Sequence, residues 1–283
     1  MSLNSSGLDA FYVCAQVKNF TRAAEQLFIT QSALSQRIKN LEEEIGATLL
    51  VRDRSGVRLT EPGEKLLRYC QTRSQLEQNI VSELGGATHS IQGILRVAGF
   101  SSVLRSLIIP TCRKLFAEAP HIQIETMGGE LSELPTLLRN SSTDFILLDQ
   151  SLEREGIKSQ LLGHELNVRL RKKATNFSGY FLDHDSEDET TQKFLKLKSG
   201  SKLKRHFLDD IYGIIDGVRA GLGDAIVPKH LIESWKDFEI VDEDRILKTP
   251  VYLHYYEQPI LPKISQRFLE IIQQESNRIF LRS

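Results

Sequence analysis

The chain of 283 residues has only three cysteines, Cys14, Cys70 and Cys112. They are odd in number, far apart and without a His or Cys at metal-ligand spacing. This excludes a disulfide framework and a thiolate metal site and leaves them as reduced structural residues. Long apolar runs are also missing: no stretch approaches the roughly 20 residues of a membrane span, and the N-terminus lacks a basic segment followed by an apolar one. A cytoplasmic protein with no membrane partner is expected. Charge of one sign is absent too. The net charge is −1, so nothing draws the whole chain to nucleic acid. Locally, Lys18, Arg22, Arg37, Lys39, Arg52, Arg54 and Arg58 are set against Glu25, Glu42, Glu43, Glu44 and Asp53. A nucleic-acid partner must therefore be held by a few well-placed contacts, doubled by dimerisation. No nucleophile stands beside a base, no metal-ligand cluster or phosphate loop has recognisable spacing, and His164, His184 and His206 are scattered. An enzyme, a metal or a cofactor is not expected.

What is present begins at residue 19. Asn19 and Thr21 are candidate caps for a short helix that turns Ala23, Ala24 and Leu27 inward, and a turn follows at Phe28 and Ile29. Thr30 then caps a second helix from Gln31 to about Glu44, in which Leu34, Ile38, Leu41 and Ile45 form a stripe that must be buried. The opposite face carries Gln31, Ser32, Ser35, Gln36 and Lys39, with Arg37 flanking, and Arg22 and Thr30 stand near its start. Amides suit adenine edges, while Arg and Lys suit guanine or phosphate, so this face can read the major groove. Leu49 to Arg52 and Val57 to Thr60 read as a two-stranded wing around Asp53-Arg54-Ser55-Gly56, with Arg52, Arg54 and Arg58 placed to grip the DNA backbone. Residue by residue, an ordinary surface hairpin with a solvated polar face would look the same.

The whole pattern separates the two. Ala23-Ala24-x-x-Leu27-x-x-Thr30-Gln31-Ser32-Ala33-Leu34-Ser35-x-x-Ile38-x-x-Leu41-Glu42-x-x-Ile45-Gly46-x-x-Leu49-Leu50-x-Arg52, followed by Leu59-Thr60-Glu61-Pro62-Gly63, resembles the winged helix-turn-helix signature of LysR-type transcriptional regulators. Leu50 stands where that family commonly has Phe, a difference of packing. The resemblance is specific to residue 63, moderate over 91–128 and weak beyond. It implies an N-terminal all-α winged helix-turn-helix, a long linker helix and a C-terminal α/β, two-lobed, periplasmic-binding-protein-like sensor. The expected division is 1–60 for DNA binding, 61–87 for the linker helix and hinge, and 88–283 for effector binding, with one lobe over 91–163 and 249–283 and the other over 164–248. It also implies double-stranded DNA, a small-molecule effector and a second copy of the chain as partners, in a dimer or tetramer. Family members that sense peroxide do so through a cysteine pair in the second lobe, and no cysteine lies beyond residue 112 here.

A helical pattern from Thr60 to Leu84 carries a loose seam of Leu66, Cys70, Leu76, Ile80 and Leu84, interrupted by Arg73. It either packs on its own domain or, as the resemblance implies, pairs antiparallel with a partner's helix. Gly85-Gly86-Ala87-Thr88 should then act as a hinge. From residue 91 strands and helices alternate, which predicts a parallel-type sheet. Strands are expected over Ile94–Phe100, Ile122–Met127, Asp144–Leu148, Leu166–Leu170 and Val251–Tyr255, with Tyr180–Leu182 contributing to the second lobe; Asp224–Pro228 resembles the Gly-x-Gly-x-x-x-x-Pro stretch that the family's sensors place opposite the first lobe. Helices are expected after Ser102, with Leu104, Leu107, Ile108, Cys112, Leu115, Phe116 and Ala119 on one side and a kink at Pro110, and over Leu131–Arg139, Glu187–Leu197, Ile211–Ala220 and Ile264–Phe280. Ser186-x-x-Glu189 reads as a capping box, and Phe268, Leu269 and Ile272 of the last helix should point inward.

Ser101 and Ser102 either cap a helix or cradle an anion with its free N–H groups; the resemblance implies the latter, with Gly128 and the Ala225 segment facing the same cleft. The compressed stretch between Lys173 and Tyr180 implies a small second lobe. Likeness to the lysine- and arginine-responsive branch, carried by Ile29 to Lys39 and by Asp183 to Asp188, points to a basic amino acid. Asp149, His184, Asp185, Asp209 and Asp210 would then line the site, with carboxylates taking the cationic end. The same acids would also serve as solvated surface. Two functions stay open: an effector-sensing, sequence-specific DNA-binding regulator, and a ligand-independent architectural DNA-binding protein whose C-terminal domain serves only assembly.

Overall fold

Asn4 accepts hydrogen bonds from the N–H groups of Ser6 and Gly7 and so starts helix α1, Ser5–Val17, whose Leu8, Phe11, Cys14 and Ala15 are buried. No such helix was expected ahead of residue 19. The computed structural model describes residues 3–53, 56–84, 91–197 and 202–280; Arg54 of the expected wing turn and the expected hinge at 85–88 lie outside them. Asn19 caps α2, Phe20–Gln26. Thr30 caps α3, Gln31–Ile45, through its hydroxyl and the Ala33 N–H at 3.1 Å, and Gly46 ends it in the left-handed region at φ 75°. Leu34, Ile38 and Leu41 are buried against Ala23, Ala24 and Phe11 in one core, with Ile45 at its margin. The wing is an antiparallel pair, β1 (Leu50–Asp53) and β2 (Gly56–Leu59). Glu42 fastens it to α3, its Oε1 accepting from the Leu49 N–H at 2.7 Å and the Leu50 N–H at 3.2 Å.

Helix α4, Glu61–Leu84, spans about 36 Å at the standard rise. Thr60 starts it, accepting from the Gly63 N–H while its hydroxyl donates to Thr48 O. The expected seam divides along the helix. Leu66, Leu67 and Cys70 complete the core of the head, whereas Ile80 and Leu84 are exposed. Arg73 interrupts the seam because it faces charge: it pairs with Glu77 and reaches Asp9. The middle of α4 also touches the C-terminal domain, where Arg68 donates to Arg139 O and stacks on Tyr256, and Gln71 donates to Ser141 O.

The C-terminal sheet is mixed, which corrects the expected parallel type. Its order is β4-β3-β5-β11-β6-β9-β7-β8, with β10 also on β6. These strands are β3 Gly93–Gly99, β4 Ile122–Gly128, β5 Phe145–Leu148, β6 Ile157–Lys172, β7 Phe181–Asp183, β8 Arg205–Phe207, β9 Asp224–Pro228, β10 Phe238–Val241 and β11 Leu247–Tyr256. Strands β3, β4 and β5 pair in parallel, as do β7, β8 and β9, but β6 and β11 run antiparallel to each other and to their neighbours. The expected strand at 166–170 is one end of the long β6, whose earlier half carries polar residues that hid its periodicity. β6 contributes Leu162 to one core and Val168 and Leu170 to a second. The register with β11 shifts at Leu162, which is left out between the paired Leu161 and Gly163, and a Cβ on Gly163 would sit 2.6 Å from Phe280.

Helix α5, Ser101–Val103, runs through five residues of π geometry, Leu104–Ile108, into α6, Ile109–Glu118. The disturbance expected from Pro110 takes this form, a wide turn just ahead of a residue that lacks an N–H. Phe116 is exposed rather than inward. The helix expected at 131–139 shortens to α7, Leu134–Arg139. That expected over 187–197 is α8, Thr190–Leu195. Its capping box does not form, because Asp185 Oδ1 accepts from the N–H groups of Glu187 and Asp188, and Asp188 Oδ1 from that of Thr190. Asp210 caps α9, Ile211–Ala220, and α10, Lys263–Phe280, buries Phe268, Ile271 and Ile272, with Leu269 only partly covered. No helix among the described residues is long and apolar enough to cross a membrane.

Candidate functional site

Two surfaces carry recognisable chemistry. On the head, α3 turns Gln31, Ser32, Gln36 and Lys39 to solvent, with Ser35 and Arg37 half-buried beside them. Arg22 and Thr30 are exposed at the approach, and Arg52 and Arg58 on the wing. Several of these side chains are already positioned. Arg52 donates to Ser35 Oγ at 3.0 Å and lies over the Phe20 ring, tying the wing to the middle of α3. Gln36 donates to Asn40, Thr30 and Ser32 share a hydrogen bond, and Lys39 pairs with Glu43 at 3.6 Å across an exposed turn. These exposed contacts are worth little and exchange readily for phosphate or base edges. Arg54 lies outside the described residues. The turn before α3 leaves Phe28 95% exposed in the left-handed region at φ 55°.

The second surface is a cleft of about 640 Å3 between the two halves of the sheet. Ser101, Ser102, Gly128, Asp149, His184, Asp185 and Asp209 all line it, together with Asp210. Ala225 does not. It is fully buried in the second core, and its neighbours Ile226 and Pro228 face the cleft instead. Alternation along β9 makes the difference, since a shift of one residue reverses the face. Residues not anticipated include Glu130, Glu165, Asn167, Asp183, Glu187, Asp188 and Thr249.

The lining is strongly acidic. Among the described residues it holds nine carboxylates, Glu130, Asp149, Glu165, Asp183, Asp185, Glu187, Asp188, Asp209 and Asp210, and no Lys or Arg. Part of this charge has local work. Asp183 binds Thr191 and pairs with Arg205, while burial still holds its pKa above the usual range. Asp185, Asp188 and Asp210 hold backbone N–H groups, and His184 Nδ1 meets Asp209 O at 2.9 Å. Glu130, Asp149 and Asp209 have no ion-pair partner among the described residues. A cleft with this balance attracts cations and repels anions, and the Ser101 and Ser102 turn is the one part suited to a carboxylate. No cluster of metal-binding geometry occurs among the described residues. The three cysteines are buried and free, their thiols pushed up to about 11 by burial, which keeps them protonated and unreactive.

Residues 6–64 match the family model described as the bacterial regulatory helix-turn-helix protein, lysR family. The HTH-type transcriptional regulator HdfR of Yersinia enterocolitica is 31% identical over 158 residues, 56% of this chain and 53% of that protein. The chain thus spans about half the length of the curated relatives it matches. Among solved structures, ArgP from Mycobacterium tuberculosis is similar with a TM-score of 0.79 at 21% identity, covering 99% of both chains. LysG from Corynebacterium glutamicum, solved with bound effector Arg, gives a TM-score of 0.78 at 18% identity, covering 97% of this chain and 98% of that one. At these identities the structural likeness speaks for the fold.

Proposed function

Residues 6–64 form a LysR-family helix-turn-helix domain at the head of a chain with the fold of full-length LysR-type regulators, and from that premise we propose a sequence-specific DNA-binding transcriptional regulator that senses a basic amino acid. Residues 1–60 read DNA, 61–87 link and dimerise, and 88–283 bind the effector. The DNA-reading residues are Arg22, Thr30, Gln31, Ser32, Ser35, Gln36, Arg37, Lys39, Arg52, Arg54 and Arg58, used in pairs across a twofold axis on an interrupted palindrome. The protein works in the cytoplasm and is not an enzyme.

The observation that carries the ligand class is the cleft lining, with nine carboxylates and no Lys or Arg among the described residues. In this reading Ser101 and Ser102 take the α-carboxylate, and Asp149, Asp185 and Asp209 take the charged side chain. LysG with its bound arginine supports a ligand of this kind. Ligand binding then shifts the lobes and, through α4, the spacing of the two heads.

Titration calorimetry on the full chain with L-lysine, L-arginine, L-glutamate and L-norleucine tests this. Saturable binding of lysine or arginine, and not of glutamate or norleucine, is expected. Absence of binding by both cations, with selection of a defined operator from a random DNA library intact, would replace the sensor with the architectural reading.

A further inference from the structure

β6 brings Glu165 to the point where the strand passes from the first core, at Leu162, to the second, at Val168. The residue is 3% exposed, yet it lines the cleft. It hydrogen-bonds to Ser102, and its Oε1 has no hydrogen-bond partner. A buried carboxylate normally has a guanidinium, an ammonium or several N–H donors around it. Here no Lys or Arg among the described residues pairs with it.

The groups that face it are specific. His230, in the 3-10 turn after β9, has Nε2 at 3.6 Å from Glu165 Oε1 and at 3.0 Å from Ser106 Oγ of the π segment. Burial pushes this imidazole down to about 4, so it is neutral around neutral pH and supplies no counter-charge. Tyr212 of α9 interacts electrostatically with Glu165, and burial raises its pKa; Arg105 stacks 3.6 Å from its ring centroid. Thr249 lies opposite in the register of β11, bonded to Asn167. Asp149, Asp183, Asp209, Asp210 and His184 face the cleft from its other walls, and His164 is its neighbour on β6.

A lone carboxyl group in this setting favours its neutral form, because ionisation would leave a buried charge uncompensated. A cation entering the cleft would supply the missing partner. We propose that Glu165 is the inner counter-ion of the cleft, protonated while the cleft is empty and ionised when the α-ammonium group of a ligand, beside the α-carboxylate held by Ser101 and Ser102, docks against it. The carboxyl O–H gives its proton to the buffer, and a ligand N–H donates to the carboxylate formed. The proposal rests on the reading of the cleft as a basic amino acid site. In accord with the geometry, burial pushes the Glu165 pKa up to about 7, against the opposing effect of the Ser102 hydrogen bond.

The sign follows. Below the free-state pKa the ligand must displace a proton, so binding weakens as pH falls, and above it the carboxylate is already formed. Calorimetry of the full chain with L-lysine and L-arginine, in buffers of different ionisation enthalpy, reads the proton count directly. Release approaching one proton per ligand at about pH 6 and fading towards zero by about pH 8 is expected, with affinity rising about tenfold over that range. Glu165→Gln, which preserves shape, should abolish the release, flatten the pH dependence and weaken binding at pH 8 about tenfold or more. Binding without proton exchange in the native protein overturns the assignment without any variant. So does release that persists unchanged in Glu165→Gln, which would place the titrating group elsewhere. If neither amino acid binds the native chain, the basic amino acid reading itself fails and takes this inference with it.

Discussion

A carboxyl group whose folded-state pKa lies above its unfolded value destabilises the fold increasingly as pH rises from the unfolded value to the folded one, and fully above both. Glu165, pushed up to about 7 from 4.5, is such a group. Below pH 4.5 it is neutral in both states; between pH 4.5 and about 7 the fold loses stability relative to the unfolded chain, and above that the loss is complete. Glu165→Gln should therefore stabilise the ligand-free protein by on the order of 2–3 kcal/mol at pH 8 and change little at pH 4, a difference that denaturant titrations at the two pH values would measure. Equal effects at both would locate the cause in packing. Burial also raises Asp144, to about 6, although it accepts the Arg96 N–H at 2.8 Å, and it adds a fall of the same sign. Four of the cleft's nine acids, Asp149, Asp185, Asp209 and Asp210, were legible in the sequence because they stand in loops and turns between periodic segments. Glu165 was not, since one acid in a polar strand half reads as an ordinary solvent-facing residue. Ala225 was misplaced by a single step of alternation.

At the scale of elements, the joint between wing and linker is the least tolerant. A Cβ on Gly63 would sit 2.1 Å from the Leu49 carbonyl oxygen, which also accepts the Thr60 N–H, so neither partner can retreat without breaking the wing. Gly63→Ala should cost about 1–3 kcal/mol in thermal melts and weaken DNA binding in fluorescence anisotropy, while leaving amino acid binding in the distant cleft largely intact. The same region was legible from sequence: the stripe of α3, its Thr30 cap and the hairpin all depend on contacts within about a dozen residues. Elements set by distant partners were not. β6 exists as a single long strand because β11 pairs along it, and nothing between residues 157 and 165 announces that pairing. α8 loses its first turn to competing aspartate side chains, a contest in which Ser186 and Glu189 matched a motif without winning the donors. α1 was missed although Asn4 and the spacing of Leu8, Phe11 and Ala15 carry the ordinary signals.

For the whole molecule, the far end of α4 is the surface that assembly would use. Ile80, Val81 and Leu84 are 55%, 70% and 83% exposed on a helix whose other half is buried in the head. A second copy of α4 would cover them. Ile80→Glu combined with Leu84→Glu should shift sedimentation equilibrium towards monomer by at least about tenfold in dimer dissociation constant, since two desolvated aliphatic contacts per chain are lost. DNA affinity should fall with it, because each head alone offers few phosphate contacts. A dimer of undiminished strength would move the interface to the C-terminal domain.

Leu66, Leu67 and Cys70 also bear on how modular the chain is. They belong by sequence to the connecting helix and by packing to the head, while Arg68 and Gln71, on the turns between them, bind carbonyls of the C-terminal domain. A chimera that exchanges heads at residue 60 would inherit an open apolar face on one side and foreign side chains on the other. The natural graft point lies within α4, past Cys70, and the residues that must travel with a transplanted head include the first three turns of that helix.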